Sequence, residues 1–225
     1  MSICNNIKNL ILDNLDSILK LRSEKTQKKD GSYVSKGDLL CEELIKNYLV
    51  KNHPKFFLVS EETPNENIKN IKKDNILILD PIDGTENFVS GLKEWGVAVC
   101  VYQNQKHVES MLAMPELNEF LITGDNFDSF ESRIYGLSSS LLKEDLLKLT
   151  SGFEYRIIGC CVYNMLNVIK RRYNVFENPK GAWIWDIIPG LNLALENNLK
   201  VYVNKKIYNG ELLDPNKKYC FKITS

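Results

Sequence analysis

The sequence predicts a mixed fold of the α/β (α+β) class, and three observations carry that prediction. Apolar residues recur at helical spacing through two separate stretches near the N-terminus. Two short runs rich in β-formers, 56–59 and 76–79, each end on carboxylates. Further apolar runs between 95 and 123 then read as successive antiparallel strands, followed by helices and strands to residue 203.

Apolar residues at 7, 10, 11, 15, 18, 19 and 21 read as one amphipathic helix over 7–21. Residues 25–31 are polar and predict a loop. A second helix starts near Ser35 and runs through Leu39, Leu40, Leu44, Ile45 and Leu49. It stops at His53-Pro54, because proline disfavours helix at the residue before it. The strands at 56–59 and 76–79 deliver Glu61, Glu62 and Asp80 to their C-terminal ends. Open α/β sheets place their sites at such ends. Residues 95–102, 108–114 and 119–123 read as strands, 141–149 as helix, 155–158 as strand and 163–170 as helix. The last elements are a helix over 185–195 and a strand over 200–203. No repeat, linker or domain boundary interrupts the chain, so 1–225 is expected to be one unit with halves 1–125 and 126–225.

Charge narrows the function classes. Lysine plus arginine equals aspartate plus glutamate at 29 each. Neither nucleic acid nor an anionic membrane is the expected partner, since both select a basic surplus. No apolar stretch approaches about 18 residues, so no membrane span is expected. No basic segment leads into an apolar core at the N-terminus, so no signal peptide is expected either. The six cysteines at 4, 41, 100, 160, 161 and 220 lack zinc-knuckle spacing and read as reduced, buried thiols of a cytoplasmic protein.

The chemistry concentrates in Asp80-Pro81-Ile82-Asp83-Gly84-Thr85. Proline restricts one φ and glycine permits an unusual one, so a turn here aims Asp80 and Asp83 the same way. Two like charges held close repel, and one stays protonated unless a cation neutralises them; oxygen-only ligands suit a hard cation, Mg²⁺ above all. The N–H groups of Gly84 and Thr85 suit phosphate oxygens. An isolated Asp-x-x-Asp-Gly is equally the chemistry of an ordinary surface turn with Asp80 as a cap.

The run from Asp80 through Thr85 to Glu86-Asn87-Phe88 resembles the signature of the inositol monophosphatase superfamily of lithium-sensitive, magnesium-dependent phosphatases. Four further segments match in order. Val34-Ser35-Lys36-Gly37-Asp38 resembles the family's Val-Thr-x-x-Asp. Ser60-Glu61-Glu62 resembles Gly-Glu-Glu, and the segment from Arg156 to Met165 resembles the strand-to-helix passage around Gly-Ser/Thr-Ala. Trp185-Asp186-Ile187-Ile188-Pro189-Gly190 resembles Trp-Asp-x-Ala-x-Gly.

The resemblance implies a layered αβαβα sandwich of the inositol monophosphatase and fructose-1,6-bisphosphatase type, a homodimer, and two or three Mg²⁺ per subunit. Mn²⁺ would substitute and Li⁺ inhibit. Glu61, Asp80 and the Ile82 carbonyl would hold the first metal, and Asp80, Asp83 and Asp186 the second. Glu61 would also serve catalysis and a weaker third metal, while Thr85 and Asp38 would orient the attacking water. Gly84, Thr85, Cys160, Cys161 and Glu177 would line the phosphate and substrate site. The activity implied is hydrolysis of a small phosphorylated metabolite, an inositol monophosphate or sugar phosphate, by direct in-line attack of a metal-activated water. Alternatives are a 3′(2′),5′-bisphosphate nucleotidase, a histidinol-phosphate or fructose 1,6-bisphosphate phosphatase, or a non-catalytic metal-binding relative acting as a binding subunit.

The chain departs from the family pattern between Gly124 and Gly159, where the Gly-x-Gly-Ala and Asn-Gly elements are absent. Glu177 is the nearest counterpart of a glutamate that contacts substrate hydroxyls, yet it stands two residues further from Asp186 than the pattern has it. Cys160 and Cys161 replace the Ser/Thr-Ala pair, and Pro189 a small residue. His53 and His107 are expected at the surface, and Glu62 as a supporting or surface carboxylate. Lys180 and the Lys170-Arg171-Arg172 run read as a solvated helix end. Trp183 and Trp185 are expected to pack beside Asp186, and Lys36 is not assigned to the phosphate.

Overall fold

The computed structural model describes residues 2–29, 31–62 and 75–225. Ser2 caps the first helix, α1 (Ile3–Asp13), its hydroxyl accepting from the Asn5 N–H at 3.1 Å. The single helix expected over 7–21 is broken at Asn14, whose amide donates to the Leu10 carbonyl at 2.8 Å. Such a local bond offers the backbone an alternative to helix. The chain resumes as α2 (Leu15–Lys20). The predicted loop over 25–31 is partly strand: β1 (Lys25–Gln27) pairs antiparallel with β2 (Tyr33–Ser35). Asp30, within that stretch, lies outside the described residues.

Ser35 then caps α3 (Lys36–Asn52), accepting from the N–H groups of Gly37 and Asp38. The Asp38 carboxylate returns a bond to the Ser35 N–H at 2.9 Å, completing a capping box. Next come β3 (Phe57–Ser60), β4 (Asn75–Asp83), α4 (Thr85–Val89), β5 (Gly96–Gln103), β6 (Lys106–Met114) and β7 (Glu119–Ile122). Their strands form a five-stranded sheet in sequence order, with β3 and β4 parallel and the rest antiparallel.

The remaining elements are β8 (Ile134–Leu137), α5 (Lys143–Leu146), β9 (Glu154–Ile157), α6 (Cys161–Ile169), β10 (Val175–Ala182) and α7 (Ile184–Glu196). They are followed by β11 (Lys200–Val203), β12 (Lys206–Ile207) and β13 (Tyr219–Thr224). These strands make a six-stranded sheet, ordered β12-β11-β13-β10-β8-β9. The helix expected over 141–149 shrinks to the single turn of α5. Leu142, Leu146, Leu147 and Leu149 all stay exposed, so an amphipathic face there has nothing to bury against.

Burial sorts these elements into layers. Helices α1 to α3 put Ile7, Ile11, Ile18 and Ile45 against one face of the five-stranded sheet, at Leu77, Leu79, Val97 and Val99. The opposite face, with Ile78, Ala98 and Cys100, packs on α6 and α7, which in turn pack on the inner face of the six-stranded sheet at Phe176, Phe221 and Ile223. On the outer face, α5 pairs with β10 through Asp145 and Lys180 at 2.6 Å. The order is αβαβα, with the last layer reduced to one turn.

Contrary to expectation, His107 is held between β6 and α7. Its Nε2 lies 2.8 Å from the Ser110 hydroxyl and its Nδ1 3.5 Å from Glu196. Ser110 donates onward to the Cys100 sulfur at 3.2 Å. Burial lowers the His107 pKa below its ordinary value, against the opposing pull of Glu109. The unfolded chain therefore binds more protons than the folded one as pH falls through about 6.5. The associated stability is present above that range and lost on acidification through the folded-state value. His107→Gln is expected to shallow the fall in melting temperature between pH 7.5 and 5.5; parallel slopes for variant and wild type would refute it.

Most of the other basic residues expected to be solvated are paired, Lys180 with Asp145 as above. Lys170 and Arg172 both bind Glu119 at 2.8 Å. His53 ends α3 and hydrogen-bonds the Tyr48 hydroxyl at 3.1 Å.

Candidate metal centre

Parallel pairing of β3 with β4 sets Ser60 opposite Leu79, so Glu61 emerges beside Asp80. The Glu61 N–H donates to the Leu79 carbonyl at 3.3 Å, which fixes that register through the first acidic residue. The turn expected around Asp80 and Asp83 is instead a bulge within β4. Asp80 pairs with Ala98 and Asp83 with Gly96, and the ladder shifts between them. A bulge re-aims side chains without ending the strand. Gly84 then adopts a left-handed conformation with φ 77°, and a Cβ there would lie 2.9 Å from the Cys160 Cβ. Only glycine satisfies both conditions.

Asp186 arrives from the first turn of α7, where the Trp183 N–H donates to its Oδ2 at 2.8 Å. Trp183 and Trp185 stack at 5.5 Å beside it. One carboxylate oxygen each from Glu61, Asp80 and Asp186 lies within 4.8 Å of the others. Asp80 is 1% exposed, and neither of its oxygens has a hydrogen-bond partner among the described residues. Burial raises its pKa, and Glu61, Asp83 and Asp186 raise it further. Burial, Glu61 and Asp83 do the same to Asp186. A carboxylate buried without partners costs several kcal/mol unless a cation or proton neutralises it. The donors of this cluster are oxygen only, without imidazole or thiolate, which fits a hard divalent cation such as Mg²⁺.

Asp83 stands apart from that trio. Its Oδ2 accepts from the Val162 N–H at 2.5 Å and from the Cys160 thiol at 2.9 Å, at the start of α6. Burial pushes its pKa up to about 6, while those bonds pull it down. Cys160 also caps α6, its sulfur accepting from the Tyr163 N–H at 3.3 Å. A thiol here occupies the place that a capping hydroxyl ordinarily takes.

Thr85 Oγ1 lies 3.2 Å from Asp38 Oδ1 and 3.0 Å from the Ile82 carbonyl. Ser35 occupies the other Asp38 oxygen, leaving Oδ1 to accept from the threonine. Burial raises the Asp38 pKa, and the Ser35 bonds oppose that rise.

A cavity of about 310 Å³ opens over these groups, lined by Glu61, Asp80, Ile82, Asp83, Gly84, Thr85, Cys160, Cys161 and Asp186. Glu177 does not line it. Alternation along β10 puts Phe176 and Asn178 toward the cavity and Glu177 on the opposite face. There its carboxylate accepts from the Tyr135 hydroxyl and pairs with Lys222 at 3.3 Å. Lys36 pairs with Glu24 at 2.5 Å and does not line the cavity either, nor does Trp183.

Sequence reasoning missed several residues of this region. Ser138, Ser139, Ser140, Asn178 and Lys218 line the cavity. Lys28, on the turn after β1, bonds Glu61 at 2.8 Å and Glu62 at 2.7 Å. Burial lowers the Lys28 pKa, but the two carboxylates outweigh it and raise it overall. Burial likewise pushes Glu62 up to about 7 against the Lys28 bond. The polar run at 25–31 was the only sequence signal for Lys28; nothing local tied it to Glu61.

A family model described as the inositol monophosphatase family matches residues 1–130. An inositol-1-monophosphatase of Rhizobium meliloti is 30% identical over 92 residues, covering 41% of this chain and 34% of that protein. The matched stretches span 32%, 34% and 49% of three curated relatives' own lengths. A staphylococcal inositol monophosphatase-1 crystal structure superposes with a TM-score of 0.83 at 21% identity, covering 99% of this chain and 88% of the other. An IMPase/NADP phosphatase complexed with Mg²⁺ and phosphate superposes at 0.79 with 22% identity, covering 99% and 92%. At these identities the structural likeness concerns the fold.

Proposed function

The chain belongs to the inositol monophosphatase family, and on that premise we propose that it is a magnesium-dependent phosphomonoesterase. Its substrate would be a small phosphorylated metabolite, an inositol monophosphate or sugar phosphate, cleaved by direct in-line attack of water. One observation carries the reading: both oxygens of Asp80 are buried without a partner, beside Glu61 and Asp186. That arrangement is unfavourable in a protein with no cation to receive and suited to one that binds it.

Glu61, Asp80 and Asp186 would hold Mg²⁺, which would supply charge neutralisation and a water of lowered pKa. Two Mg²⁺, with Asp83 and the Ile82 carbonyl contributing, remain the proposed stoichiometry, and a third near Glu61 belongs to the same proposal. Mn²⁺ substitution and Li⁺ inhibition rest on family resemblance. A phosphate monoester dianion repels an attacking oxygen, so positioning and electrostatics do most of the work. Thr85 would orient that water, since its hydroxyl donates toward Asp38 Oδ1 or the Ile82 carbonyl and keeps a lone pair to accept. The N–H groups of Gly84 and Thr85, with Cys160 and Cys161 opposite, are the proposed contacts of the phosphate. The homodimer, the cytoplasmic setting and the single unit with halves 1–125 and 126–225 are part of this reading. Six free cysteines accord with a reducing compartment.

Phosphate release is the test. With Mg²⁺, at least one of inositol 1-phosphate, fructose 1,6-bisphosphate, 3′-phosphoadenosine 5′-phosphate and histidinol phosphate is expected to be hydrolysed. Chelator is expected to stop release and added Mg²⁺ to restore it. Release indifferent to chelator, or none from folded protein on the whole panel, would reject the reading.

A further inference from the structure

One cation at the mouth of the carboxylate-lined cavity has no anionic partner among the described residues. Lys218 lines the cavity, directly before β13. Its ammonium lies 5.1 Å from the ring centroid of Trp183, and it forms no ion pair among the described residues. The lysines around it differ in this respect. Lys180 is paired with Asp145, Lys217 with Asp214 and Lys222 with Glu177.

The backbone holds Lys218 in that place. Pairing of β10 with β13 is interrupted between Asn178 and Ala182. Gly181 crosses this gap with φ 92°, and a Cβ there would come within 3.3 Å of the Lys218 Cβ. A left-handed glycine thus lets the two backbones approach at the cavity rim. Asn178, 7% exposed, uses its Oδ1 to accept from the N–H groups of Lys180 and Gly181. That fixes the side chain and leaves the Nδ2 donors without a partner among the described residues. The run Ser138-Ser139-Ser140 also lines the cavity, with the Ser138 and Ser140 hydroxyls 2.7 Å apart. One exposed ammonium at the rim, one oriented amide and a row of hydroxyls can all donate. None of them belongs to the carboxylate cluster.

We propose that Lys218, Asn178 and the Ser138–Ser140 run form a second anion subsite in this cavity, selecting substrates with a second negatively charged group remote from the phosphate that is cleaved. The inference rests on the phosphomonoesterase reading and names its substrate class: a bisphosphate or phospho-carboxylate, in preference to a monophosphate on an uncharged polyol. The local charges agree with this division. A carboxylate-rich centre neutralised by metal takes the reacting phosphate, and an unneutralised lysine takes the other anion. Lysine is a point-charge partner for such a group.

Two measurements separate this inference from the reading beneath it. In turnover, the ratio of kcat/KM for fructose 1,6-bisphosphate over inositol 1-phosphate is expected to exceed ten in wild type. It is expected to fall about tenfold in Lys218→Gln, mostly through KM, and to be retained in Lys218→Arg. An unchanged ratio in Lys218→Gln would overturn the subsite. Calorimetric binding of the same two compounds to the Ca²⁺-loaded protein needs no turnover. Loss of bisphosphate preference in Lys218→Gln supports the subsite even if no phosphate is released, in which case the phosphatase reading alone falls. Equal affinities of wild type and Lys218→Gln for the bisphosphate overturn the subsite whatever the turnover.

Discussion

Asp80→Asn is expected to eliminate phosphate release while leaving the metal-free protein at least as stable as wild type. The two halves of that expectation have one cause. In wild type a carboxylate that is 1% exposed, with both oxygens unpartnered, faces Glu61 and Asp186. Removing its charge relieves repulsion and desolvation in the absence of metal, and removes the central ligand in its presence. Groups that merely support metal ligands are worth about 10–100-fold in affinity or activity, so loss of a ligand is expected to cost more than about 100-fold. Thermal melts supply the second readout. Saturation at about 100 times the dissociation constant stabilises a folded protein by about 2.7 kcal/mol. For a chain of this size that corresponds to about 5–10 °C. Wild type is expected to gain that increment from Mg²⁺ and Asp80→Asn to lose it. An Asp80→Asn protein that melts well below metal-free wild type would make Asp80 a structural residue and overturn the metal assignment.

Lys28 makes the same electrostatic point from outside the cluster. Its ammonium bridges Glu61 and Glu62 at 2.8 and 2.7 Å, so a carboxylate of the trio already has a cation beside it. Asp80 and Asp186 have none among the described residues. The unmet demand for positive charge is concentrated on Asp80 and Asp186, of which Asp80 is the most deeply buried of the three.

How much of this was legible in the sequence varies by element. Ser35 and Asp38 announced the start of α3, because a serine followed three residues later by a carboxylate satisfies two helix donors locally. The runs at 56–59 and 76–79 were apolar enough to read as buried strands, and the acids behind them followed from position alone. Glu177 was misplaced because strand parity is set by the partner strands: β13 and β8 fix β10 so that Phe176 and Asn178 face in. β10 itself was missed, since Asn178-Pro179-Lys180-Gly181 reads as a turn, and it is a strand only through pairing with distant residues. The bulge at Asp80 was unreadable for the same reason, being a mismatch between two strands. Propensity misled over 141–149 in the opposite sense: the leucine spacing is helical, but no surface receives it, and Leu147 remains 76% exposed. Nothing local tied Lys218 or Lys28 to the cavity: pairing of β13 with distant β10 brings Lys218 to its rim, and Lys28 reaches Glu61 and Glu62 from the β1–β2 hairpin.

Gly96→Ala is expected to be strongly destabilising, although it adds only one methyl group. Gly96 opens β5 opposite Asp83, at the far side of the bulge. A Cβ there would lie 2.5 Å from the Val162 Cγ1 and 2.6 Å from the Ala113 carbonyl oxygen. Neither neighbour can retreat cheaply. Val162 is β-branched and buried in the first turn of α6, and the Ala113 carbonyl belongs to the β6 backbone. Overpacking a filled core costs about 1–3 kcal/mol, and contact with backbone puts this case near the upper end. A loss of about 3 kcal/mol corresponds to about 6–12 °C in melting temperature. The strain also has a direction. If α6 moves away from β5, the Val162 N–H withdraws from Asp83 Oδ2, now 2.5 Å away. Activity should therefore fall even where Gly96→Ala is fully folded, with a weaker response to Mg²⁺. Adding Val162→Ala removes the shortest of these contacts, that to Cγ1, while leaving the Val162 Cβ at 2.9 Å, so the double variant should recover part of the lost stability. A Gly96→Ala protein that melts within a degree of wild type would mean that β5 and α6 are not packed as closely as these contacts require.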